Sequence, residues 1–407
     1  MSASSPKLSL QFWILALIAL INSISFTSII PLIYPYAKQF GLSDFQASLL
    51  TTAYAIAQFF ATPILGRLSD MAGRKPLLVM SLSGTVAAGL LASFAPVAWV
   101  LYLARVLDGL TGGNVSVARA VISDMVPSDR RPQAFGIFDA MFRLGFVAGP
   151  SLSYLAQTIP PFPGVSRLGM GFLVSAGMAL VAVILTLIWL PETLANQQAF
   201  RFSWQDFGLG RILKSTTRPK IGQLFLLTFF SGFTFTIFTF AFQPFFLNVL
   251  GQNTKTLAIV FAIFGILGFV AQIFGLQPLT SRFSLVKILA IALFIRSILF
   301  LIMPLTTSLN TFLVVAIFFG LANAYPLPLI NSLLSINSSD REQGEVFGLN
   351  ASYLSISNAF GPAIGGLLVG FGYRAPFWIT GVLALFTAWF AITLKAQLEP
   401  PPPRSHP

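Results

Sequence analysis

Only 9% of this 407-residue chain is charged, so the few ionisable side chains inside its long apolar runs are where chemistry is to be sought. Arg105 and Asp108 stand three residues apart in one run, and Asp139 and Arg143 stand four apart in another. Both spacings put the two groups on one helical face, within reach of an ion pair. Arg119 lies further along the first of these runs, and Arg296 interrupts a third. By a rise of about 1.5 Å per residue, Asp108, Arg143 and Arg296 each lie about 16 Å from the start of their run, near a bilayer midplane. Charge at that depth is costly and must meet a partner or a wet cavity. Two readings of Arg105 and Asp108 stay open. The guanidinium either holds a carboxylate ready until protonation or a ligand releases it, or forms a static ion pair that braces the helix. The surplus of arginine over carboxylate also suits an anionic ligand.

Other chemistries lack their residues. The chain has no cysteine and a single histidine, His406, in a Pro-rich tail. That leaves no disulfide framework, no clustered zinc ligands and no positioned histidine for a Ser-His-Asp triad. An enzyme is not expected, nor a cofactor or metal. The net charge of +12 sits in short segments between apolar runs, not on a basic face. This distribution suits membrane orientation and argues against nucleic acid.

The elements that must position these groups are membrane helices. With 56% of residues hydrophobic, there is too little polar surface for a water-soluble particle. Apolar runs near 11–34, 46–65, 77–95, 98–122, 133–158, 168–190, 221–248, 257–279, 286–304, 310–335, 344–370 and 375–394 predict twelve transmembrane helices. The first run reads as a retained helix, not a cleavable signal. Of the 24 Lys and Arg, 16 fall on one side, 4 on the other and 4 within helices, which places both termini in the cytoplasm of a multi-pass inner or plasma membrane protein. The longest polar break, 191–220, separates an expected six-helix bundle at 1–190 from a second at 221–407. Within that break, Phe202–Phe207 reads as a linker or as an amphipathic segment on the inner leaflet.

The bundles repeat. Ser128-Asp129-Arg130, Phe135-Gly136 and Gly149-Pro150 recur as Ser339-Asp340-Arg341, Phe347-Gly348 and Gly361-Pro362, offset by 211 residues at the aspartate and 212 at the glycines. Six helices per copy make the repeats parallel, about an axis along the membrane normal, with the substrate path expected between them. Between the second and third runs stands Gly66-Arg67-Leu68-Ser69-Asp70-Met71-Ala72-Gly73-Arg74-Lys75. The glycines permit a tight turn, and Asp70 can accept from Arg74 or from a helix N-terminus, as a latch would.

This segment resembles the signature loop of the major facilitator superfamily, with Met71 where a basic residue is usual. Arg105-Val106-Leu107-Asp108-Gly109 resembles the Arg-x-x-x-Gly motif of its proton-coupled members. Gly145 to Gly149-Pro150 resembles their antiporter motif, echoed at Gly361-Pro362, though Ser153-Tyr154 replaces a glycine pair. Residues 60–155 look most like the tetracycline-type, twelve-helix drug/proton antiporters. The resemblance implies an all-α membrane protein of two pseudo-symmetric bundles. It also implies gating at Gly66, Asp70, Gly73, Arg74, Gly145, Gly149, Pro150, Gly361 and Pro362.

In those antiporters helix 1 carries a carboxylate nine positions before a proline, and here Asn22 stands there. Proton coupling, if present, then falls to Asp108 with Arg105, or to Asp139. Helices 1, 4, 7 and 10 line the path in the superfamily. The residues they offer are Asn22, Ser25, Asn114, Phe238, Gln243, Asn323 and Tyr325, with Arg143 of helix 5 at the same depth. The expected function is export of hydrophobic or amphipathic small molecules by proton antiport, with the bilayer, protons and a small-molecule substrate as partners and a monomeric state. A carrier for an organic anion or metabolite is the alternative, and a non-transporting sensor on the same scaffold is a third.

Overall fold

The computed structural model describes residues 8–194, 209–339 and 342–394, all helix, turn or loop, with no strand among them. The Phe202–Phe207 stretch and the tail with His406 lie outside the described residues. The helices are α1, in two pieces about Ile29 (Leu10–Ser28 and Ile30–Gln39), α2 (Asp44–Ala72), α3 (Arg74–Ser93) and α4, in two pieces (Ala98–Leu110 and Asn114–Met125). They continue with α5 (Arg131–Ala156), α6 (Gly169–Trp189), α7 (Ile221–Asn248), α8 (Thr254–Thr280) and α9 (Leu285–Leu305). Then come α10, also in two pieces (Leu309–Asn323 and Pro326–Ile336), α11 (Gln343–Val369) and α12 (Ala375–Thr393). Among the described residues nine are long and apolar enough to cross a bilayer by composition alone. The other three are α4, broken and carrying Arg105, Asp108 and Arg119; α5, carrying Asp139 and Arg143; and α11, rich in Ser, Asn and Gly.

Local sequence explains the boundaries. Ser9 caps α1 by accepting from the Phe12 N–H, Ser284 caps α9 at Lys287, and Ser308 with Thr311 forms a capping box on α10. The break in α4 falls at Thr111-Gly112-Gly113, and that in α10 precedes Pro326 and Pro328, which lack the N–H a continuous helix needs. Five residues of α8, Ala271–Gly275, form a π-helical turn.

The chain divides into two compact units. The first comprises Met1–Leu42, Ala53–Phe207 and Thr254–Ala262, the second Ser43–Thr52, Gly208–Asn253 and Ile263–Pro407. In the first, α1 packs against α5 and α6, and α3 against α6; in the second, α7 packs against α11, and α9 against α12. The α1–α5 and α7–α11 pairs use the same device. A methyl on Gly145 would strike Ser23, and one on Gly149 would strike Thr27. One on Gly361 would likewise strike Thr236. Bare glycine lets the helices approach until hydroxyls bond across them: Ser23 to the Phe142 carbonyl at 2.6 Å, Thr27 to Gly145 at 2.9 Å, and Thr236 to Ser357 at 2.9 Å. The parallel repeat seen in sequence is thus a repeat of packing.

Candidate functional site

The Gly66–Lys75 segment is not the open loop its glycines suggested. Residues through Ala72 complete α2, and only Gly73, at φ +107°, makes the turn. Gly66 is helical, with space around it for a side chain. The turn aims the buried Arg74 at three partners. Its Nη1 lies 2.5 Å from Asp70 Oδ1 and 2.7 Å from Ser69 Oγ, and its Nε donates to Asp124 Oδ2 on α4 at 3.0 Å. Glu192, just past α6, accepts from the Arg74 N–H at 2.9 Å and the Lys75 N–H at 3.2 Å, so a carboxylate caps the N-terminus of α3. Partial burial pushes the Glu192 carboxyl up. Backbone N–H donors from Leu194, Arg74, Lys75 and Thr193 outweigh it and hold the group below its ordinary range. Four helix ends are thereby tied at one guanidinium and one carboxylate. Asp124 and Glu192 were not legible as members of this cluster.

Arg105 and Asp108 do form an ion pair, at 2.8 Å, with side chains 6% and 10% exposed. Both line a cavity among α1, α3, α4 and α6, with Phe26, Thr85, Gly89, Phe172 and Ser175. About 20 Å³ of it admits the centre of a water molecule, room for one water and none for an organic ligand. The Arg105 guanidinium lies 4.3 Å from the centre of the Tyr54 ring, and its Nε is buried without a partner among the described residues.

The remaining candidates separate. Asp139 is paired with Arg119 of α4 at 2.8 Å. The pair is half exposed, and Arg143 is exposed too. Asn22 accepts from Asn114 Nδ2 at 3.1 Å, and both are buried within the first unit. Ser25 is fully buried and bonded to Ser175 of α6. Phe238 is not on a surface. It centres an aromatic core with Phe242, Phe264, Phe300, Phe319 and Phe377, ring centres 4.5 to 6.2 Å away. Gln243 is buried with an unpartnered carbonyl oxygen, and Tyr325 is half-buried at the α10 break. Asn323 accepts from Arg296, which is 1% exposed and also bonds Ser231 and Thr234 at 3.2 and 3.0 Å. Arg296 is thus a packed structural donor in α9. No group of three or more metal-binding side chains occurs among the described residues.

The sequence profile of the Major Facilitator Superfamily matches residues 15–222 and 224–407. Multidrug resistance protein 2 of Bacillus subtilis is 26% identical over 360 residues, covering 88% of each chain. The class B tetracycline resistance protein of Escherichia coli is 26% identical over 404 residues, covering 97% of this chain and 95% of that one. Among solved structures, the human organic anion transporter MFSD10 superimposes with a TM-score of 0.72 at 19% identity, covering 95% of this chain and all of the other.

Proposed function

This chain belongs to the Major Facilitator Superfamily, and from that premise we propose that it exports hydrophobic or amphipathic small molecules by proton antiport, with both termini in the cytoplasm. That it is a multi-pass membrane transporter follows from the family and fold. One observation carries the proton reading: a buried carboxylate, Asp108, held by Arg105 beside a water-sized cavity at membrane depth. A coupling group must exchange one proton without opening the membrane, and a water beside a shielded carboxylate supplies the route. Arg105 supplies the countercharge while the carboxylate is ionised. The drug-resistance relatives support the substrate class. Alternating access is then governed by the clasp at Arg74, whose bonds to Asp70 and Asp124 must lengthen whenever α2, α3 and α4 shift against one another.

The test is proton release from purified protein on adding a panel of lipophilic cations and organic anions, followed by uptake driven by a pH gradient in inverted vesicles. Release with the cations and accumulation abolished in Asp108→Asn support the proposal. Accumulation without any pH gradient overturns it.

A second reading, a carrier for organic anions, rests on the half-exposed Arg119–Asp139 pair with the exposed Arg143 one turn away. Exposed guanidiniums offer charge-assisted donors to an anionic group. Uptake of an organic anion lost in Arg119→Gln, with lipophilic-cation transport absent throughout, would favour it.

A further inference from the structure

Each unit contains a helix split into two pieces, α4 or α10, into whose break the second helix of the same half reaches with a glutamine side chain. Gln58 of α2 donates its Nε2 to the Gly112 carbonyl at 3.1 Å and to the Tyr54 hydroxyl of its own helix at 2.9 Å. Gln272 of α8 donates its Nε2 to the Ala324 carbonyl at 3.0 Å. The two carbonyl contacts join residues 54 apart in one unit and 52 apart in the other. They arise from unrelated local sequences, Thr-Gly-Gly-Asn and Ala-Tyr-Pro-Leu-Pro.

The chemistry of the break explains why a donor is wanted. A helical carbonyl accepts from the N–H four residues on. For Ala324 that residue is Pro328, which has no N–H. For Gly112 the chain turns at Thr111–Gly113 before the next helix begins at Asn114. A carbonyl left open inside a bilayer costs several kcal/mol, roughly, unless a side chain satisfies it. The fit is close on both sides. A methyl on Gly112 would strike the Gln58 amide nitrogen, and one on Gly275 of α8 would strike the Tyr325 hydroxyl at the other break. Gln272 lies in the π-helical turn Ala271–Gly275, a local irregularity of the kind that re-aims side chains.

We infer that Gln58 and Gln272 are a matched pair of positioning residues. Each replaces a missing backbone donor at the point where α4 or α10 can bend, and so sets how readily that helix flexes during transport. The inference holds for any substrate.

The sequence contains no cysteine, so dyes on Thr158→Cys in one unit and Thr307→Cys in the other report interconversion of transport states by single-molecule fluorescence transfer without any substrate. Gln58→Met and Gln272→Met keep length and lose the donor. Each is expected to change the interconversion rate at least threefold with the state distances unchanged. Each should also raise hydrogen exchange about tenfold at its own break only, residues 113–118 or 327–331, as loss of one hydrogen bond predicts. Gly112→Ala, which displaces the Gln58 amide, should reproduce Gln58→Met. Unchanged interconversion overturns the inference. So does a rise in exchange spread over a whole bundle with a fall in melting temperature, which would mark the glutamines as general braces.

Discussion

Removing one or both members of the Arg105–Asp108 pair separates a static brace from a coupling group. Asp108→Asn leaves a guanidinium 6% exposed with its Nε already unpartnered. Breaking a buried pair by losing one charge costs about 3–5 kcal/mol. The Tyr54 ring, 4.3 Å from the guanidinium, remains and returns about 0.5–2 kcal/mol, so the lower end applies. A loss of about 3 kcal/mol is about a hundredfold in the folding equilibrium. Replacing both, as Arg105→Met with Asp108→Leu, removes the unpaired charge and should restore stability to within about 1 kcal/mol of the parent. Melting in detergent, followed by tryptophan fluorescence, reads the stability arm, and pH-gradient-driven uptake in inverted vesicles reads the other. The expected result is a destabilised single variant, a double variant of near-parental stability, and no gradient-driven uptake in either. If the double variant accumulates substrate like the parent, the pair only braces α4 and the coupling argument fails. If Asp108→Asn melts like the parent, the burial argument fails as well.

Three further outcomes follow from the geometry. Arg74→Lys keeps the charge but cannot reach Asp70, Ser69 and Asp124 together, so it should cost about 1.5–3 kcal/mol and slow transport more than Asp70→Asn, which weakens one bond of three; equal rates in reconstituted vesicles would refute the clasp. Glu192 has its pKa depressed in the folded state, so the stability it gives the start of α3 is present above its ordinary value near 4.5 and is lost as pH falls through the lower folded value. Melting should therefore drop more steeply below pH 4.5 in the parent than in Glu192→Gln, and parallel curves would refute this. Gly361→Ala drives a methyl into Thr236 and should cost about 1–3 kcal/mol, partly recovered by adding Thr236→Ala; absence of recovery would place the strain elsewhere.

Continuous apolar runs made the twelve helices legible, because a bilayer demands length and apolarity from each span. Arg105 and Asp108 were legible as a pair because a spacing of three leaves little choice of partner. Asp139 shows where that logic ends. A partner one turn away on the same helix competes with one across a helix interface, and only packing puts Arg119 at 2.8 Å. The burial of Ser25 and Phe238 was not legible for a related reason. Helical periodicity shows that Ser25 and Phe238 share a helix with other polar or aromatic groups, but not which face turns inward, and helices apolar on all sides give no phase. Gln58 and Gln272 escaped notice because a glutamine in a membrane helix has no sequence signature until the carbonyl it serves is located.

Among the described residues three guanidiniums are buried, and their partners decide what each can do. Arg74 meets two carboxylates that are 36% and 24% exposed, so solvent can compete for its bonds and the contact can open and close. Arg296 meets only hydroxyls and an amide, none of which takes up or releases a proton near neutral pH, so its surroundings are fixed in charge. Arg105 alone combines burial with a single shielded carboxylate and space for a water. Of the three sites, this is the one on which the proposed proton coupling rests, because a change of charge at depth would link a proton gradient to the movement of helices.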